Sequence, residues 1–195
     1  MRTAEIARKT RETDIALALN MDGAGQTELA TGIGFFDHML DALSRFALMD
    51  LTLRCDGDLQ VDAHHTVEDV GICLGRAIRE ALGDRAGIRR VGSAYLPMDE
   101  ALAFAAIDIS GRPYLSYQVE FAAPTVGAMD TQLAEEFFRA VAVNAGLTVH
   151  LKVLDGRNDH HKMEALFKAF GLALRDAARV DERVRGVLST KGALD

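Results

Sequence analysis

The chain contains one stretch of itself twice. Shifted by 96 residues, segment 64–81 falls on 160–177, and seven of the 18 positions are identical. His64 meets His160, His65 meets His161 and Glu68 meets Glu164. Gly75, Ala77, Arg79 and Ala81 meet Gly171, Ala173, Arg175 and Ala177. Paired histidines in register with a carboxylate do not recur this way by chance in one chain. An internal duplication restricts the fold to one in which two copies of a unit complete each other's core.

The hydrophobic pattern around each copy supplies that unit. Segments 3–9, 13–20 and 26–33 read as strands; Ile15, Leu17 and Leu19 alternate with Ala16, Ala18 and Asn20. Asp22-Gly23-Ala24-Gly25 supplies turn residues between the second and third strands. From Gly34 onward Phe36, Leu40 and Leu43 recur at helical spacing; 49–55 reads as a strand and 65–82 as a long helix with Val67, Val70, Leu74, Ile78 and Leu82 on one face. The second half repeats the order, with strands at 93–98, 101–109 and 114–121, a helix over 131–145, a strand at 147–154 and a helix over 160–178. The expectation is an α+β protein, a two-layer fold made by duplicating a β3-α-β-α unit. The repeats are drawn at 1–88 and 89–180, followed by a C-terminal tail, 181–195.

Composition limits the functions open to this fold. The 29 acidic residues outnumber the 22 Lys and Arg, a net charge of −7, which argues against a phosphate-backbone partner such as nucleic acid. No apolar run approaches the ~20 residues of a membrane span, and residues 1–10 carry no apolar leader core. Cys55 and Cys73 stand outside any CxxC pattern and read as buried free thiols of a reducing compartment. A cytoplasmic protein with no membrane partner is expected.

The histidines carry the chemistry. There are six, and four of them form His64-His65-Thr66-Val67-Glu68 and His160-His161-Lys162-Met163-Glu164. On a helix, residues four apart share a face and neighbours diverge by about 100°. One ion can therefore take the first His with the Glu, leaving the second His for another ion. Asp62 and Asn158 precede the pairs and suit helix caps. His38 and His150 are weaker signals alone, but they complete a count of six imidazoles and two carboxylates, enough for two sites of three His and one Glu. By the pseudo-symmetry, one site takes His64, Glu68, a His of the second pair and a lone His; the other takes the mirror set. Nitrogen and oxygen ligands without thiolate suit Mn²⁺, Fe²⁺, Zn²⁺ or Ni²⁺, and the residues do not choose among them. Arg90, Arg112 and Lys191 lie in glycine- and hydroxyl-containing loops, a setting that suits a phosphate.

Together these motifs resemble the imidazoleglycerol-phosphate dehydratases. The resemblance spans almost the whole chain and rests on Gly34-Phe35-Phe36-Asp37-His38-Met39-Leu40, the two histidine motifs with their flanks, and Ser189-Thr190-Lys191-Gly192. Thr190 stands where Ser is common in the family. The resemblance implies a fold like the second domain of ribosomal protein S5, duplicated. It implies the monofunctional form, with two Mn²⁺ per active site. It implies a homo-oligomer, a 24-mer built of trimers, with sites between subunits. It makes His38, His64, His65, Glu68, His150, His160, His161 and Glu164 the metal ligands. It assigns the substrate phosphate to Arg90, Arg112, Ser189 and Lys191, and proton transfer to Glu12, which reaches a neighbour's site. Glu164 is a second carboxylate at the reacting centre, less suited as a base because a ligated carboxylate is less basic. The implied reaction dehydrates D-erythro-imidazoleglycerol phosphate to imidazole acetol phosphate through a metal-stabilised imidazolate. Two other readings stay open on the residues alone. A metal-dependent hydrolase would hold its ions about 3.5–4 Å apart. A metal-storage protein would not need the three cations to converge.

Overall fold

The computed structural model describes residues 1–194. The first repeat runs β1 (Thr3–Lys9), β2 (Thr13–Asn20), β3 (Thr27–Ala30), α1 (Gly34–Ala47), β4 (Asp50–Gly57) and α2 (His64–Leu82). The second runs β5 (Val91–Met98), β6 (Ala101–Asp108), β7 (Tyr114–Gln118), a small hairpin of β8 (Thr125–Val126) and β9 (Met129–Asp130), then α3 (Leu133–Ala145), β10 (Thr148–Asp155) and α4 (Asp159–Ala178). The two main sheets have matching orders, β1-β2-β4-β3 and β5-β6-β10-β7. In each, the last strand in chain order inserts between the second and third, antiparallel to one and parallel to the other.

Each repeat is a sheet with two helices on one face, and the helical faces of the repeats meet. The packed pairs are α1 with α4 and α2 with α3. One apolar core therefore serves both repeats, from Leu17 and Leu53 through Phe36, Phe137 and Phe167 to Ala105 and Leu151. Neither half could bury its helices alone. Cys55 and Cys73 are free thiols in this interior, and burial pushes both up to about 11. No helix of the described residues is long and apolar enough to cross a membrane.

The glycines shared by the repeats lie where helices cross. A Cβ on Gly171 would meet the Leu43 carbonyl oxygen at 2.5 Å; one on Gly75 would meet the Val141 carbonyl oxygen at 2.8 Å. Both obstacles are backbone and cannot rotate away. Gly171→Ala is therefore expected to destabilise the fold by about 1–3 kcal/mol through overpacking, despite alanine's better helix propensity. A lower denaturant midpoint at unchanged slope checks this.

Element order follows the sequence expectation, with local differences. The third strand is only Thr27–Ala30, because Gly32 takes φ +81° and Thr31 turns to Asp37, whose carboxylate accepts both its N–H and its hydroxyl. Asn158 caps α4, accepting the N–H groups of His160 and His161. Asp62 lies one residue ahead of the α2 cap, Ala63, yet still accepts the His64 N–H at 2.7 Å. The β8–β9 hairpin, turning at Gly127 with φ +58°, has no counterpart in the first repeat.

Candidate metal and substrate site

Helix starts carry most of the candidate ligands. His160 and Glu164 lie one turn apart at the start of α4, and packing of α1 along α4 delivers His38 to them. The Glu164 Oε2 atom is 3.1 Å from His160 Nε2 and 3.2 Å from His38 Nε2. Among the described residues these three form a group whose ligand atoms all lie within 4.8 Å of one another. The donor set, two imidazoles and a carboxylate with both rings half open to solvent, fits a divalent cation with positions left for other ligands. Glu164 itself is buried, 7% exposed. Burial pushes its carboxyl upward, but hydrogen bonds from Lys168, His38 and His160 outweigh this and hold it below the usual range. Lys168 Nζ takes the other oxygen, Oε1, at 2.6 Å. Phe35 sets its ring edge-on to His160, with centroids 5.1 Å apart.

The first motif is less complete within one chain. His64 Nε2 is 3.9 Å from Glu68 Oε2. The matching helix ends at Leu48 and Gly146, both in the left-handed region, align α1 with α3 and place Glu136 where α1 has His38. Glu136 and His64 line a cavity of about 540 Å³ together with Asp62, Gln132 and Leu133. The other lone histidine, His150, is on β10, exposed, with its ring 6.1 Å from that of Tyr114. Of the eight expected ligands, the chain thus brings three together, leaves His64 with Glu68 as a pair, and holds His150 apart.

The second histidine of each pair is held from behind. His65 Nδ1 lies 3.0–3.1 Å from both Asp58 oxygens, and His161 Nδ1 lies 2.8 Å from Glu100 Oε2. Hydrogen bonds to these carboxylates raise the pKa of both rings. Glu100 also accepts the N–H groups of Arg157 and Asn158, and it is drawn down to about 2 chiefly by His161. A carboxylate on Nδ1 fixes the tautomer and presents Nε2 outward, the usual support of a metal-binding histidine. Glu12 Oε1 is 3.7 Å from His65 Nε2, so a carboxylate faces the atom that His65 presents.

The expected phosphate group lies elsewhere. Arg90, at φ +69°, grips Asp108 with Nε and Nη2 at 2.7 and 2.9 Å and donates from Nη1 to the Leu188 carbonyl at 2.8 Å. That last bond ties the tail to the start of β5. The backbone N–H of Arg112 donates to Ser110 Oγ, and Lys191 N–H donates to Ser189 Oγ. Arg90 precedes β5 and Arg112 follows β6, so both mark one end of the second sheet, where β10 begins. The second histidine motif follows the far end of β10. Eight residues of strand span about 23 Å at about 3.3 Å per residue. One small substrate cannot touch both ends within one chain.

Asp58, Glu100 and Lys168 were not singled out by sequence. Lys168 stands four residues after Glu164, a spacing that pairs side chains on a helix. Asp58 and Glu100 sit in turns, where a charge gives no sign of its partner.

Comparison with known proteins places the chain among relatives. The family model for imidazoleglycerol-phosphate dehydratase matches residues 31–174. Imidazoleglycerol-phosphate dehydratase of Symbiobacterium thermophilum is 62% identical over 193 residues, covering 99% of this chain and 93% of that protein. The enzyme of Acetivibrio thermocellus is 58% identical, covering 99% of each. The crystal structure of the Staphylococcus aureus enzyme is 38% identical with a TM-score of 0.84, covering 92% of this chain and 99% of that one. The Pyrococcus furiosus structure is 38% identical with a TM-score of 0.83, covering 97% and 100%. With a duplicated fold that superimposes on theirs and both histidine motifs in place, the chain belongs to the imidazoleglycerol-phosphate dehydratase family, hydro-lyases of histidine biosynthesis.

Proposed function

We propose that the chain dehydrates D-erythro-imidazoleglycerol phosphate to imidazole acetol phosphate, with two Mn²⁺ held by its histidines and carboxylates. The observation that carries the metal reading is the meeting of His38, His160 and Glu164 on one carboxylate oxygen. His161 suits a second ion, because its outward Nε2 diverges from His160 as the helix requires. His64, His65, Glu68 and His150 suit the remaining positions, supplied by other copies of the chain. A storage protein would have no use for a separate cationic end.

The substrate sets the chemical problem. The hydrogen to be removed is on carbon, no carbonyl stands beside it, and the leaving group is hydroxide. Bound divalent metal would lower the N–H pKa of the substrate imidazole and favour its anion. The chain must then move protons at the two carbons. Glu12 is the group suited to move them, since it is exposed, lies at a turn and stands 3.7 Å from His65. Glu164 keeps its own oxygens on His38, His160 and Lys168, and so serves at the reacting centre as a ligand. Arg90, Arg112, Ser189 and Lys191 bind the phosphate and orient the glycerol chain.

The opposite placement of phosphate group and second histidine motif supports sites assembled between copies. The reading is a homo-oligomer, a 24-mer of trimers, in the cytoplasm. It takes a small phosphorylated substrate, with no nucleic-acid or membrane partner. Arg90→Ala is expected to raise KM about 10–100-fold, the worth of one charge-assisted contact of about 1.5–3 kcal/mol, with metal content unchanged. Mixing this variant with Glu164→Gln after subunit exchange tests assembly. Sites that take Arg90 and Glu164 from different copies regain wild-type composition, so activity returns. No recovery after demonstrated exchange would place both residues of a site in one chain.

A further inference from the structure

The two repeats differ in chemistry directly beneath Glu12. Strand registers align them with a shift of 88: Thr3 pairs with Asn20 and Lys9 with Asp14, as Val91 pairs with Asp108 and Pro97 with Leu102. The turn Arg11-Glu12 therefore falls on Asp99-Glu100. In the second repeat the turn glutamate is fully engaged, one oxygen on His161 Nδ1 and the other on two backbone N–H groups. There the preceding residue, Asp99, faces His161 Nε2 from 3.7 Å; in the first repeat Asp58 has taken over the histidine Nδ1, and the turn glutamate itself, Glu12, faces His65 Nε2 from 3.7 Å.

A buried polar cluster accompanies that difference. By this strand alignment Leu96 and Ala101 correspond to Arg8 and Thr13, and by the helix shift of 96 Ala165 corresponds to Asp69; all three are buried and apolar. Asp69 is 5% exposed, and its Oδ2 accepts from Arg8 Nη1 and, at 2.5 Å, from Thr13 Oγ1. Thr13 Oγ1 lies 3.3 Å from Thr10 Oγ1, which accepts the N–H groups of Glu12 and Thr13 at 3.1 and 3.0 Å. The Glu12 carbonyl in turn accepts the Asp58 N–H at 3.0 Å. Burying a carboxylate with a guanidinium costs desolvation that an apolar set avoids. The second repeat builds the same hairpin with the apolar set, so the fold does not require the charge. We infer that Asp69, acting through Arg8, Thr13 and Thr10, is a positioning residue that fixes the Glu12 turn against the histidine-bearing end of α2. This rests on the reading of Glu12 as the acid–base group.

The test transplants the second repeat's residues: Arg8→Leu, Thr13→Ala and Asp69→Ala together. Expected are an undiminished Tm, unchanged Mn²⁺ stoichiometry and KM, and a kcat about 10–100-fold lower, since small misplacement of a catalytic group costs that much. In the Glu12→Gln background the same three changes should lower kcat no further. Wild-type kcat in the triple variant would overturn the inference. So would an equal loss in both backgrounds, because the cluster would then act without Glu12. Amide hydrogen exchange at residues 11–13 is a readout independent of turnover: it should quicken in the triple variant and stay slow in Glu12→Gln. If Glu12→Gln alone keeps wild-type turnover, the acid–base reading fails, and the exchange rates still decide whether the cluster holds the turn. Should the triple variant not fold, Thr10→Val cuts the same chain at an exposed position. It should lower kcat and quicken exchange in the turn; wild-type kcat with slow exchange would overturn the inference.

Discussion

Replacing Glu12 by Gln is expected to lower kcat by about 10²–10⁴-fold, the range that a positioned acid–base group contributes. The side chain keeps its size and loses only the ability to carry a proton. Its backbone role survives, because the Glu12 carbonyl still accepts from Asp58 and its N–H still donates to Thr10. His65 keeps Asp58 on Nδ1, so metal content should match the wild type within error. KM should change little, since Arg90 and Arg112, proposed to hold the phosphate, lie at another end of the fold. A loss seen in kcat and kcat/KM alike, with metal retained, marks an interaction made in the transition state. Turnover within a few fold of wild type would remove Glu12 from proton transfer.

Glu164→Gln is expected to act on the metal itself. One oxygen of Glu164 faces both His38 and His160, and no other described carboxylate joins that group. Losing a supporting hydrogen bond behind a ligand typically costs 10–100-fold in metal affinity or activity. Losing the ligand should cost at least about 100-fold in activity at limiting Mn²⁺. The substitution also strips Lys168 of its ion pair, leaving the ammonium beside Phe46 with its centroid 5.2 Å away. An unpaired, largely buried cation lowers stability by about 1–3 kcal/mol. Lys168→Met separates the two effects: it breaks the pair and keeps the ligand. If Lys168→Met loses as much metal as Glu164→Gln, the carboxylate's part is support from its neighbours and not coordination.

Much of the architecture could be read from residues because the duplication doubled every signal. Helical spacing of Phe36, Leu40 and Leu43 and the alternation along Ile15–Leu19 report burial directly, and burial is what selects helix or strand. The limits of the third strand were harder, since they depend on a Thr31–Asp37 hydrogen bond that no periodicity encodes. Glycine at 75 and 171 marked helix crossings that only packing reveals. At the site, i,i+4 geometry within a helix placed His160 with Glu164, and His64 with Glu68. It could not say that α1 would bring His38 to the first pair. Nor could symmetry alone tell that Glu136 stands where a mirrored histidine was sought. Carboxylates behind His65 and His161 stayed hidden because their partners are 7 and 61 residues away in sequence, joined only by the fold.

Metal-dependent dehydration is tested most directly by reconstitution. Protein stripped by chelator, exchanged into chelator-free buffer and offered imidazoleglycerol phosphate, should form no imidazole acetol phosphate. Adding Mn²⁺ should restore product formation in proportion to bound metal. Full turnover by the stripped, metal-free protein, or tight Mn²⁺ binding without any product, would contradict a metal-dependent dehydratase.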